Sequence, residues 1–155
     1  MTLIFEDDVE IDPTTFAQSL NLAKTHVQKL GYIQFQVRDV IDQNKVQAQS
    51  EAAQIIQPTV TPLRTSAQFV SYETAQKLLN ITSKFDRPID TFLQMFWETR
   101  IHICCVVPSG VTDKTQEIGG STISKNTSLK GKFKKEYGRF SYRKKVKKFS
   151  IQTLK

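Results

Sequence analysis

The stretch TLIFEDDVEIDPTTFAQSLNLAKTHVQKLGYIQFQV, residues 2–37, decides the fold. Thr2-Leu3-Ile4-Phe5 is apolar and β-prone and stops at three successive carboxylates, Glu6-Asp7-Asp8, which predicts a buried strand ending at a charged crevice. Asp12-Pro13 then opens a helix, with Asp12 as N-cap and Pro13 at the first helical position, and Phe16, Leu20, Ala23 and Val27 follow at helical spacing. Gly31 ends that helix, and Tyr32 to Val37 alternates large and polar side chains as a second strand. Strand, helix and strand in this order open an α/β domain.

Downstream, residues 38–61 are Gln-rich without clear period and predict a long loop, with one short helix or irregular strand at most. Leu63 to Val70 is β-like, and Ser71 begins a helix with Glu73 in its first turn and Ala75, Leu78, Leu79 and Thr82 on one side. Pro88 closes that helix. Ile89, Phe92, Leu93, Phe96 and Trp97 then repeat at three and four residues, predicting one further amphipathic helix. Arg100 to Val107 reads as a strand ended by Pro108, followed by a polar loop containing Gly119-Gly120-Ser121-Thr122. A chain of 155 residues suits one core, and the division expected is a domain over 1–123 and a basic, aromatic-rich tail over 124–155.

The signs of charge are segregated. The net +7 arises from 22 basic and 15 acidic residues, but residues 125–155 hold twelve Lys or Arg against Glu136 alone, so the first 124 residues are net acidic. A run such as Arg143-Lys144-Lys145-Val146-Lys147-Lys148 attracts polyanions, lipid head groups and nucleic acid alike, or is a solvated arm. The hydrophobic fraction of 39%, with 6 Gly and 5 Pro, excludes collagen-like and wholly disordered chains. No apolar run reaches the roughly 18 residues of a membrane span. The acidic start does not read as a secretory signal, so the expected location is cytoplasmic, peripheral on the inner face of the membrane if the tail binds lipid. Cys104 and Cys105 are adjacent in an apolar run and read as buried free thiols.

Three segments in order resemble glycosyltransferase family 25, the bacterial lipopolysaccharide and lipooligosaccharide sugar transferases. Leu3-Ile4-Phe5-Glu6-Asp7-Asp8-Val9 is similar to the family's apolar strand and EDD motif. Ser66 to Leu79 resembles its next strand and helix, and Arg87-Pro88-Ile89-Asp90-Thr91-Phe92 its "PiD.f" motif, with Gly120-Ser121-Thr122-Ile123 like its terminal "S-T-I". The resemblance implies a partial Rossmann-like glycosyltransferase A-type fold, a mixed sheet with flanking helices. In that family the EDD strand lies in mid-domain. The chain therefore looks like the carboxy-terminal part of such a domain, without the usual nucleotide-binding half, and a sheet cut there is expected to expose a hydrophobic edge.

On this resemblance the chemistry is metal-assisted transfer of a hexose, galactose or glucose, from a UDP-sugar to a glycan or lipid-linked acceptor. A divalent cation neutralises the leaving diphosphate. In an extended strand Glu6 and Asp8 share a face, in effect a D-x-D pair, and oxygen-only ligands favour Mn²⁺ or Mg²⁺. Asp8 is the expected main metal ligand and Glu6 the second, with Asp7, Arg87 and Ser121 as donor contacts. Asp90 is the expected general base, although the start of a helix is also where a carboxylate is stabilising without any catalytic role. Arg64, Arg87 and Arg100 offer bidentate contacts to a diphosphate or pair with surface acids. His26, His102, Phe96 and Trp97 read as structural.

This transferase reading has no nucleic-acid partner. The competing reading does: residues 65–97 as strand, helix, turn and helix outline a ribbon-helix-helix or helix-turn-helix module, completed by the basic tail. It leaves Glu6-Asp7-Asp8 without a role and supplies few cations on its second helix. A third reading is an inactive remnant.

Overall fold

The computed structural model describes the backbone of residues 1–35, 44–83, 86–114, 117 and 129–153, and their side chains except those of residues 44, 129–136, 152 and 153. The strands are β1 (Thr2–Phe5), β2 (Val9–Ile11), β3 (Tyr32–Phe35), β4 (Asn44–Gln49), β5 (Gln54–Pro58), β6 (Ala67–Val70), β7 (Cys104–Val107) and β8 (Val111–Asp113). The helices are α1 (Pro13–Leu30), α2 (Tyr72–Ile81), α3 (Ile89–Leu93), α4 (Phe96–Thr99) and α5 (Leu129–Thr153). Six strands form a mixed sheet in the order β1-β6-β3-β7-β5-β4, and β2 and β8 form a separate antiparallel ribbon. The chain is thus an α/β protein with helices flanking a mixed sheet.

The capping signals around α1 act as read. The Asp12 carboxylate accepts from the Thr14 and Thr15 backbone N–H groups, and Gly31, at φ +80°, closes the helix with its N–H on the Val27 carbonyl. One sheet face is sealed by α1, whose Leu22, Ala23 and Val27 pack on Ile33, Phe35, Ile55, Phe69, Cys104 and Val106. Phe16 sits between Phe5 and Phe35, with ring centroids 5.6 and 5.1 Å apart. The other face is covered by α2 and α3, where Tyr32, Val70, Leu93, Ile101 and Ile103 meet Ala75, Leu78 and Ile81.

Four expectations are corrected. β1 is an edge strand rather than a buried one, paired only with β6 among the described residues, and it leaves Ile4 44% and Phe5 37% exposed. The part of the supposed loop 38–61 that is described forms the hairpin β4–β5; β5 pairs with both β4 and β7, and Ile55 is wholly buried. These strands escape a reading based on apolar alternation because Ile55 and Ile56 are adjacent and both buried in β5, while in β4 Val46 is exposed and Gln47 half-buried. The single helix over 89–97 is two short helices, broken at Gln94 and Met95, whose backbone amides turn back to Asp90 and Phe92 carbonyls. The loop after Pro108 contains β8, which pairs with β2 and which nothing in its own sequence announces.

The basic segment expected as a tail is a helix seated on the domain. Trp97 meets Phe149 at 5.2 Å, Val146 and Ser150 are buried, and the Tyr142 hydroxyl donates to the Thr91 carbonyl (3.3 Å) and to Gln94 Oε1 (3.0 Å). Among the described residues no helix is long and apolar enough to cross a membrane.

Candidate functional site

Both β1 and β3 run antiparallel to β6, and β7 runs parallel to β3, so β1, β3 and β7 point the same way and their carboxyl ends share one rim of the sheet. That rim is where open α/β sheets bind ligands. Glu6-Asp7-Asp8 lies there. The Glu6 N–H donates to the Ser66 carbonyl at 2.8 Å, and the Thr65 hydroxyl donates to Glu6 Oε1 at 2.7 Å. Asp7 is exposed, whereas Asp8 is half-buried and its main-chain carbonyl accepts from the Lys114 N–H at 2.8 Å. Strand β1 stops at Phe5 and residues 7 and 8 form a turn, so the shared face expected of Glu6 and Asp8 from strand alternation does not apply; turn geometry positions them instead.

The rim is also cationic. Arg64 forms an ion pair with Asp113. The Lys114 ammonium lies 3.1 Å from Glu10 Oε2 and 2.9 Å from Glu117 Oε1, and those two carboxylates hold it charged. Arg64 has φ +121°, a left-handed backbone that a side chain disfavours, and its carbonyl is held by Gln34 Nε2 at 2.8 Å. Gln34 itself is 3% exposed, with its Oε1 facing the Cys105 thiol at 3.9 Å. The alternation read in β3 was real, but with both faces of the sheet covered the polar position is internal. Beneath the rim, burial and then the Glu6 carboxylate raise the pKa of Tyr32, so its phenol stays protonated. Burial likewise pushes the Cys104 thiol up to about 11 and Cys105 higher still, which makes both inert.

The second predicted cluster is assembled at the start of α3. Asp90 Oδ1 accepts from the Thr91 N–H at 2.7 Å, a local bond at a helix N-terminus. Arg87 is engaged with Asp86 at 2.6 Å and reaches Met95 Sδ at 2.8 Å. Its guanidinium lowers the pKa of the Asp86 carboxyl. Tyr142 of α5 senses the group: burial first and Asp90 second raise its pKa, and Arg87 opposes them. Asp90 and Arg87 stand at the start of α3, whereas Glu6-Asp7-Asp8 follow β1, and Ser121 lies outside the described residues. His102 stacks on Phe96 at 3.8 Å and bonds Gln57 Nε2 through Nδ1, and its pKa is lowered by burial, a structural placement.

Three rim residues were missed as site candidates: Thr65, Asp113 and Lys114. Their identities carry no local signal, because each reaches the acidic motif across 50 or more residues of sequence through sheet and ribbon pairing. Of Arg64, Arg87 and Arg100, it is Arg64 that adjoins Thr65, whose hydroxyl bonds the Glu6 carboxylate. Strand β6 is paired on both sides within the chain, which leaves it no free edge for the two-stranded ribbon of a ribbon-helix-helix dimer.

Among the described residues no group of three or more His, Cys, Asp or Glu side chains is arranged to hold a metal ion. Glu6, Asp7 and Asp8 offer oxygen donors, the ligand type of hard cations. No protein-family model, curated protein or solved structure matches this chain.

Proposed function

We propose that this chain is the acidic-motif part of a metal-assisted hexosyltransferase using a UDP-sugar, built on a partial Rossmann-like glycosyltransferase A-type sheet. The observation that carries the reading is the position of Glu6-Asp7-Asp8 at the carboxyl ends of β1, β3 and β7, beside Arg64. Glu6 and Asp8 would hold Mn²⁺ or Mg²⁺, and the cation would supply charge neutralisation for the leaving diphosphate. Arg64 supplies a planar donor fork for phosphate oxygens, released from Asp113 when a phosphate competes for it. Thr65 fixes the Glu6 carboxylate, and the peptide of Asp8 is anchored on Lys114, so the turn is ordered before the donor arrives. Asp90 remains the proposed base for the acceptor hydroxyl, in a glycan or lipid-linked acceptor brought to α3.

The test is a calorimetric titration of UDP into the chain with and without Mn²⁺, using Asp8→Asn, Arg64→Ala and Arg87→Ala variants shown to be folded. Mn²⁺-dependent binding is expected, lost in Asp8→Asn, weakened about tenfold in Arg64→Ala as for loss of one charge-assisted contact, and unchanged in Arg87→Ala. Metal-independent binding, or equal binding by Asp8→Asn, would overturn the reading.

A further inference from the structure

Helix α5 presents apolar residues on two opposite sides. Tyr142, Val146, Phe149 and Ser150 form the side seated on the domain. At 100° per residue, Tyr137, Phe140, Lys144, Lys148 and Ile151 fall on the opposite side. There Tyr137 is 75%, Phe140 55% and Ile151 42% exposed. Lys144 Nζ lies 4.7 Å over the Phe140 ring. Between residues 137 and 153 stand six Lys or Arg and no acid.

Two features of this face are costly in water and are relieved by the same partner. Like charges four residues apart, as at Lys144 and Lys148, repel along the helix. Large apolar side chains left outward on a helix that already has a buried side gain nothing from the protein's own core. An anionic bilayer surface neutralises the lysines and takes Phe140, Tyr137 and Ile151 into the head-group boundary. A nucleic acid matches the charge and can stack on Phe140 and Tyr137, but aliphatic Ile151 has no base-stacking role.

We propose that the outward face of α5 docks this protein on anionic phospholipid bilayers, lying along the surface with Phe140 and Ile151 inserted between the head groups. This inference stands independently of the transferase reading.

The experiment is co-sedimentation of the full chain with vesicles of phosphatidylcholine alone and of phosphatidylcholine mixed with phosphatidylglycerol, beside binding to a labelled single-stranded oligonucleotide. Binding to the mixed vesicles and not to phosphatidylcholine alone is expected. Neutralising Lys144→Gln and Lys148→Gln should weaken it about fivefold each. Ile151→Ser should weaken vesicle binding and leave any oligonucleotide binding unchanged. All three positions are exposed, and circular dichroism of each variant checks that α5 is retained. The proposal is overturned by absence of binding to the anionic vesicles, by equal binding to both vesicle types, or by vesicle binding indifferent to Ile151→Ser. Tight oligonucleotide binding without vesicle binding would assign the face to nucleic acid instead.

Discussion

At Arg64 the backbone carries φ +121°, while its two neighbours on the path to the acidic motif, Thr65 and Ser66, are buried and bonded to Glu6. A side-chain-bearing residue pays about 1–3 kcal/mol for such a conformation, and what holds it here is the Gln34 amide on its carbonyl and the Asp113 pair on its guanidinium. Comparing Arg64→Gly with Arg64→Ala isolates that strain, since both variants lose the guanidinium equally. The Gly variant should be the more stable by about 1 kcal/mol in urea denaturation, the relieved strain being partly offset by the greater freedom of glycine in the unfolded chain. A more stable Ala variant would show that the backbone at 64 is unstrained. No sequence pattern reveals strain of this kind.

Among the elements, α1 was legible from end to end because its stop and start signals are chemical: an Asp12 carboxylate for orphan N–H groups, Pro13 at the first turn and Gly31 where φ turns positive. For α2 only the start was legible, the Ser71 hydroxyl accepting from the Thr74 N–H; the helix ends at Ile81, well before Pro88, and Leu79 is 72% exposed. What escaped the sequence was pairing at a distance. The ribbon β2–β8 joins residues about a hundred apart, and neither three-residue strand has a period to read. The acidic motif was visible, but its surroundings, Arg64, Thr65 and Lys114, flank β6 and β8 and so depended on the pairing that was not. The ribbon meets α1 at Gly110, whose carbonyl accepts the Asp12 N–H. A Cβ there, at φ +71°, would lie 2.4 Å from the Phe16 amide nitrogen. Gly110→Ala should therefore cost about 3 kcal/mol or more. Gly138→Ala in α5, where a Cβ would meet nothing within 4 Å, should gain about 1 kcal/mol from helix propensity. Urea midpoints of both variants check the contrast, and equal effects would mean that the ribbon yields to accommodate the methyl.

Across the whole molecule, stability is centred on β3 and β7, which lie in mid-sheet with Ile33, Phe35, Cys105 and Val106 at most 1% exposed. The acidic rim is at the edge strand β1, and the basic helix contacts the short helix α4, where the Trp97 and Phe149 rings meet. Elements joined to a core by few apolar contacts open without unfolding it. Val146 is 2% exposed on the seated side of α5, so Val146→Asp places an unpaired carboxylate in that contact. If α5 is a satellite of the core, native-state hydrogen exchange in the variant should show faster exchange throughout residues 139–151, while the β3 and β7 amides keep nearly the protection of the parent protein. Loss of protection in β3 and β7 to the same extent would instead make α5 part of the cooperative core.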